Sequence, residues 1–537
     1  MVNNCLRCHF LMKLLLASEL IMRNNIITSR YCFRHMVTQL IVGVEGANVR
    51  NYLTFILNGK TQRVDNIAGD MTLLKWLRDQ KSLVGSKEGC AEGDCGACTV
   101  AIVKTDDSGN LIWRSVNACI VFMGMLEGCA VITVEGLNGP NSELHPCQKA
   151  LIDFHGSQCG FCTPGFVMSL FTAWSNKQGL MEGDIDDTLA GNLCRCTGYR
   201  PIVEAGLSLK NAKQPQWEMD RNETLKKELL EINSSEPVEI TDGKNSFSIP
   251  TNHEDFSKTY ADQPSATIVS GATDIGLWVT KQNRNLPNMI WTGRVKEFSK
   301  IDEQDDFIII RPAVTHQEAM AKLGNKWPTI KALWKRFGSV QVRNSGTVCG
   351  NLANGSPIGD LPPALIALES LIELTNKNKK RKIPLEEFFI EYGRQDRHAG
   401  EYVSGIFVPN KPGDNFRCYK LSKRFDQDIS AVMMGANLSV EKTKITMATI
   451  CFGGMAGTPK RATEVEKALL GQPFEPQSFI KASKNINKDF HPLTDVRGSA
   501  DYRRKAAQNL VMKYGYELTG SFVPNLADRN QVENLVS

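Results

Sequence analysis

Ten of the sixteen cysteines in this 537-residue chain fall between Cys90 and Cys196. No other feature restricts the fold as much. A chain this long is no small secreted disulfide scaffold. Cysteines crowded into one stretch point to inorganic chemistry in a reducing compartment, here read as the cytoplasm, rather than to disulfides. Lys+Arg number 63 against 58 Asp+Glu. For this length that is nearly neutral, which argues against a nucleic-acid binder or a polybasic membrane binder. The length suits about three to four domains of ~100–200 residues each.

No window offers the ~18 uninterrupted apolar residues of a membrane span. The best stretch, Leu11–Met22, is broken by Lys13 and Glu19. Residues 1–50 carry six Lys/Arg against Glu19 and Glu45. A transit peptide shares that bias, but the preferred reading is an unstructured extension. Met36 is a plausible alternative start, and Cys5 and Cys8 are a chance pair.

Periodicity divides the rest of the chain. Residues 51–138 alternate like strands around a short helix, Thr72–Arg78, with a hairpin turn at Gly59-Lys60. Residues 139–212 read as a helical domain with helices over Pro146–Phe154, Pro164–Asn176 and Ile202–Lys210. Thr163-Pro164 reads as an N-cap followed by a first-turn proline. The polar stretch 213–245 suits a linker with a helical part. Strands and helices alternate again over 246–414, where Val340–Asp360 reads as one long loop. Residues 415–525 form a final α/β unit, and 526–537 a tail.

The first cysteine group, Cys90, Cys95 and Cys98, has the C-x4-C-x2-C spacing of a plant-type [2Fe–2S] loop. Gly85, Gly89, Gly93 and Gly96 let backbone N–H groups turn toward the sulfurs. A zinc site would favour paired knuckles instead. Cys119 and Cys129 compete as the fourth ligand. Cys119 is preferred because it follows Val116-Asn117-Ala118 ahead of an apolar helix, although spacing alone leaves both open. The second group is Cys159, Cys162, Cys194 and Cys196, with each pair beside a helix start that would stabilise anionic thiolates. A four-cysteine zinc site competes here. Next to a ferredoxin-type loop, a second electron carrier is the better reading. Cys147 reads as a packed thiol.

No Rossmann glycine fingerprint occurs. Two loops remain for a dinucleotide. One is the strand–turn–helix Ile268-Val269-Ser270-Gly271-Ala272-Thr273-Asp274-Ile275, whose N–H groups suit a pyrophosphate. The other runs from Arg343 through Thr347, Cys349, Gly350 and Asn351 to Asp360.

The cysteine groups in this order, with the flanks Gln158–Gly165 and Gly191–Pro201, resemble the xanthine dehydrogenase family of molybdenum hydroxylases. The resemblance covers about residues 51–525 and includes Asp495–Arg504. It implies a multidomain α+β chain. Its parts would be a β-grasp ferredoxin-like domain, a four-helix [2Fe–2S] domain, an FAD-binding α+β domain of the vanillyl-alcohol-oxidase type and a C-terminal α/β domain. It implies that Cys90, Cys95, Cys98 and Cys119 ligate one cluster, and Cys159, Cys162, Cys194 and Cys196 the other. It places FAD against Ile268–Ile275 and Thr347–Asn351. Phe337 would approach the adenine, Asp360 the flavin side, and Lys420 a polar edge of the ring. Tyr392 and the Arg424–Asp428 loop would receive NAD. Cys349 departs from the family, where a second glycine is usual. The implied partner is a molybdopterin-binding large subunit, in a dimer of heterodimers, and the implied flow runs from a purine through both clusters and FAD to NAD+. An aldehyde substrate and a non-enzymatic zinc scaffold are the competing readings. No residue of this chain is expected to attack the substrate.

Overall fold

The computed structural model describes residues 49–411, 415–521 and 523. The extension with Cys5, Cys8 and Met36, and the tail 526–537, lie outside the described residues.

The first domain is a clasp. Strand β1 (Leu53–Leu57) turns at Asn58-Gly59 into β2 (Lys60–Val64). The φ angles there, 49° and 74°, are the left-handed pair that a two-residue hairpin needs. Helix α1 (Leu73–Asp79) follows, capped by the Thr72 hydroxyl on the Lys75 N–H. Its Trp76 meets Phe55 of β1 edge-on, with ring centroids 5.4 Å apart. Strands β3 (Thr99–Thr105), β4 (Leu111–Asn117) and β5 (Ala130–Ile132) complete a sheet of order β2-β1-β5-β3-β4. The sequence reading missed β4. The loop carrying Cys90, Cys95 and Cys98 joins α1 to β3.

Four helices form the second domain: α2 (Pro146–Asp153), α3 (Thr163–Ser175), α4 (Ile185–Leu189) and α5 (Arg200–Ser208). The expected cap of α3 shifts by one residue. Cys162 is the N-cap, and Thr163-Pro164 already lie in the first turn.

The stretch 213–245 is more ordered than a linker. It holds helix α6 (Gln216–Ile232) and the strand Val238–Thr241. Leu225 and Leu229 of α6 are buried in the helical domain's core. Glu218, fully buried, accepts from His145 Nε2 at 2.8 Å and from Arg221 at 3.2 Å. His145 Nδ1 is already taken, accepting the Cys147 N–H at 3.1 Å to cap α2. The imidazole therefore carries its proton on Nε2, toward the acid.

Beyond α6 lie two sheets of the third domain. One orders its strands Val238–Thr241, Ser246–Ile249, Asn288–Trp291, Thr267–Val269. The other orders them Ile301–Glu303, Phe307–Ile310, Tyr402–Pro409, Leu371–Asn376, Lys379–Pro384. The expected long loop 340–360 is instead two short helices, Val340–Ser345 and Val348–Asn354, capped by Ser339 and Thr347. The last domain sets the sheet Arg417–Leu421, Val432–Glu441, Lys444–Gly453, Lys460–Arg461 against helices that include Ala500–Leu518.

These units are not beads on a string. One apolar core runs from Leu53 and Phe122 of the clasp into Phe247, Met289 and Trp291 of the third domain. Gly124 lies so close that a Cβ there would collide with the Phe247 ring. Among the described residues no helix is long and apolar enough to cross a membrane.

Glu218 is ion-paired with Arg221, and removing one partner of a buried pair strands the other, at a cost of about 3–5 kcal/mol. Glu218→Ala is therefore expected to lower the unfolding free energy of the iron-loaded chain, read from urea titrations, by that much, while Glu204→Ala, on an exposed face of α5, leaves it nearly unchanged.

Candidate functional site

The Cys90 loop is folded around one sulfur. Cys90 Sγ accepts the N–H groups of Glu92, Asp94 and Cys95 at 3.4, 3.4 and 3.3 Å. That inward turn needs left-handed backbone at Ala91, Gly93 and Gly96, with φ of 55°, 79° and 68°. A Cβ on Gly89 would stand 2.8 Å from Cys95 Sγ. Cys90 shares hydrogen bonds with the thiols of Cys119 and Cys95, and Cys119 also with Cys98. Those contacts, Cys119 foremost, hold Cys90 far below the usual thiol range, against burial. Cys95 and Cys119 are held far above it, chiefly by their bond to Cys90. Three N–H groups aimed at one sulfur suit a thiolate that ligates metal.

Cys129 stands apart. Its buried thiol donates to the Met125 and Glu127 carbonyls at 3.9 and 3.7 Å. The four sulfurs that meet are Cys90, Cys95, Cys98 and Cys119.

The second group also meets in pairs, Cys159 with Cys196 and Cys162 with Cys194. Cys159 and Cys196 are exposed. The Phe161 N–H, then Cys196, lower the Cys159 thiol. Burial opposes a lowering at Cys194, yet the Thr197 hydroxyl, 3.1 Å away, and its N–H prevail. Burial, then Cys194, pushes Cys162 up to about 12. Cys162 caps the N-terminus of α3, whose dipole favours negative charge. The paired sulfurs match a two-iron cluster, which takes two thiolates on each iron. Cys147 is fully buried and takes no part.

The two groups touch. The Leu193 N–H donates to the Cys95 carbonyl at 3.0 Å, and Asn192 Nδ2 to the Gly96 carbonyl at 3.1 Å. A Cβ on Gly96 would collide with the Gly191 carbonyl, and one on Gly165 with the Gly96 carbonyl.

A cavity of about 730 Å³ begins at the first loop, where Gly93, Asp94 and Ile120 form its wall. It ends among Phe256, Tyr260 and Tyr402. Of the residues expected there, Ile268, Ser270, Gly271, Ala272, Thr273, Asp274, Ile275, Phe337, Thr347, Gly350 and Asn351 line it. Gly271 packs so tightly that a Cβ would strike the Ser345 carbonyl, and Ala272 takes a left-handed φ of 58°. Thr347 Oγ1 caps the Gly350 N–H at 3.2 Å. Asn351 Oδ1 is buried without a partner. A shaped turn, a capped helix start and an orphaned acceptor fit a dinucleotide with hydrogen-bond donors.

Three expected residues are not on that wall. Val269 is buried in its strand. Asp360 and Lys420 are buried together, with Ser430 Oγ 3.0 Å from Lys420 Nζ and also donating to Asp360. Cys349 is accommodated at the position where the resemblance implied a glycine, its thiol donating to the Ile310 carbonyl at 3.4 Å. Of the residues expected to receive NAD, Gln427 reaches the cavity wall, whereas Tyr392 is 76% exposed. The sequence reading missed the aromatic end and His316, a wall residue that burial, then Arg343, lowers to about 3 and keeps neutral. Only the packing of the helix His316–Lys326 beside Phe337, with the His316 and Phe337 ring centroids 4.7 Å apart, brings it there.

Two paired cysteine groups leading to a dinucleotide-sized cavity define an iron–sulfur flavoprotein. Four domain families match in order. They are a 2Fe-2S iron-sulfur cluster binding domain over 55–124, a [2Fe-2S] binding domain over 133–207, the FAD binding domain in molybdopterin dehydrogenase over 243–411, and the CO dehydrogenase flavoprotein C-terminal domain over 417–518. The chain belongs to the molybdenum hydroxylase family, as its iron–sulfur and FAD portion. Xanthine dehydrogenase of Drosophila pseudoobscura pseudoobscura is 30% identical over 88% of this chain and 39% of its own length. That of Arabidopsis thaliana is 29% identical over 85% and 39%, and xanthine dehydrogenase/oxidase of Mus musculus 29% over 86% and 38%. The chain thus spans about two fifths of the curated relatives it matches. Among solved structures, quinoline 2-oxidoreductase from Pseudomonas putida 86 is 19% identical, with a TM-score of 0.47 over 50% of this chain and 94% of that one.

Cys119→Ser is expected to remove about half of the bound iron, the share of one of two two-iron clusters. Cys129→Ala should remove none, and iron analysis of the purified variants checks both.

Proposed function

We propose that the chain is the electron-carrying subunit of a xanthine dehydrogenase. It takes electrons from hypoxanthine or xanthine oxidation at a molybdopterin-binding large subunit and delivers them to NAD+, within a dimer of heterodimers. The observation that carries this reading is a continuous line of contact. Cys194 adjoins Leu193, Leu193 bonds to Cys95, and Gly93 and Asp94 of the Cys95 loop are cavity wall. The names of the relatives support the purine and the dehydrogenase activity.

In this reading Cys159, Cys162, Cys194 and Cys196 hold one [2Fe–2S] cluster, and Cys90, Cys95, Cys98 and Cys119 the other. The turn Ser270–Ile275 and the segment Thr347–Asn351 hold FAD. When bound, the clusters supply one-electron steps between two two-electron chemistries, and FAD supplies hydride transfer. The chain's own residues bind, orient and insulate. The N–H groups on Cys90 stabilise thiolate charge, and the buried Cys98 and Cys119 keep water from one side of the first group. Phe161, Leu193 and Tyr199 stay exposed around the exposed Cys159 and Cys196, a face suited to the large subunit.

The chain alone should purify brown, with about four irons and one FAD, from two clusters and one flavin site. Co-expressed with a molybdopterin-binding large subunit it should form NADH from xanthine. Turnover of an aldehyde but not of xanthine would reassign the substrate, and a colourless zinc protein would sink the proposal. Cys95→Ser is expected to abolish one cluster's EPR signal and to uncouple xanthine oxidation from NAD+ reduction. Unchanged signals from both clusters would count against the ligand assignment.

A further inference from the structure

One side chain of the FAD-binding domain reaches into the seam between the two cysteine groups. Gln341, on the helix Val340–Ser345, is 1% exposed. Its Nε2 donates to Asn192 Oδ1 at 3.0 Å and to Ser169 Oγ at 3.0 Å, and lies 3.4 Å from Thr99 Oγ1. Ser169 Oγ also donates to Asn192 Oδ1, at 2.6 Å. With its oxygen held by two donors, Asn192 can only turn Nδ2 to the Gly96 carbonyl. The next residue, Leu193, bonds to the next carbonyl back, that of Cys95. The network joins three domains, and all four of its side chains are buried.

Gln341 makes these bonds at a cost. Its Oε1 is buried with no partner, against the Gly191 backbone, where a Cβ would collide with it. An orphaned amide oxygen in a dry seam is destabilising, because it gives up its hydrogen bonds to water and regains none. Packing alone would be met better by an apolar residue of the same size.

We infer that Gln341 is a positioning residue: it locks the orientation of Asn192 and thereby holds the Leu193–Cys95 hydrogen bond as the bridge between the two clusters. The inference rests on the proposed function. One electron crosses at a time. With both clusters bound, the electron given up on the Cys194 side would be the one gained on the Cys95 side, with no bond broken and no proton moved. The Leu193–Cys95 hydrogen bond, one residue from a ligand on one side and at a ligand's own carbonyl on the other, is a direct connection between the groups.

The test uses the full chain carrying iron and FAD, and compares it with Gln341→Leu, which keeps the volume and removes the donors. Two quantities are read. One is hydrogen exchange of the peptide containing the Leu193 amide. The other is the EPR splitting that arises when both clusters are reduced and interact magnetically. At unchanged iron and FAD content, the variant should exchange that amide severalfold faster and lose most of the splitting. Wild-type exchange and wild-type splitting in the variant would overturn the inference. Should Gln341→Leu fail to hold iron, Ser169→Ala decides by the same two readouts, since it withdraws one acceptor of Gln341 with little change in volume. An unsubstituted chain lacking two clusters is a different failure, and it would refute the proposed function rather than the role of Gln341.

Discussion

The organisation of this chain depends on how closely backbones can approach one another beside Gly96. There the carbonyls of Cys95 and Gly96 meet Leu193 and Asn192, and α3 passes at Gly165. Any Cβ at Gly96, Gly165 or Gly191 would wedge this seam open. A glycine is costly in an ordered chain because it loses the most conformational freedom. Here three of them allow two cysteine-bearing loops from separate domains to approach closely enough for one backbone–backbone hydrogen bond and one from the Asn192 amide.

The same economy of distance shapes the electrostatics. The first group gathers its anion on Cys90 through three N–H groups. The second relies on a helix N-terminus and on Thr197. The two devices suit different settings. The first loop is walled in by the third domain, with Thr280 Oγ1 donating to the Ala91 carbonyl at 2.7 Å and Ile120 pressed against Gly276. The second group keeps two cysteines at the surface. Burial raises the cost of thiolate charge, so the more enclosed group needs the greater number of aimed dipoles.

Much of this was legible from spacing. C-x4-C-x2-C and the paired C-x2-C and C-x-C named seven of the eight cysteines that meet, because ligand loops are local and their geometry is written in a few residues. Cys119 against Cys129 was not decidable that way. Both follow the loop at plausible distances, and only the end of β4 determines which thiol faces Cys98. The dinucleotide turn at Gly271 was legible as strand–turn–helix, while its aromatic end was not, since Phe256 and Tyr402 lie 146 positions apart and meet only through the fold. Two short helices in 340–354 were mistaken for loop because their Gly and Asn content outweighed the capping signals of Ser339 and Thr347. Nothing near Gln341 marks it, for its partners come from two other domains.

Helix α6 has a consequence for where the molecule can be divided. Family boundaries invite a cut near residue 212, after the last cysteine-bearing helix. Such a cut would leave His145 facing an empty site in place of Glu218, and would uncover the apolar surface that Leu225 and Leu229 close. The part that holds the cysteines is therefore not the whole of the helical domain. That domain extends through Ile232, and the seventeen residues of α6, which include no cysteine, close its core.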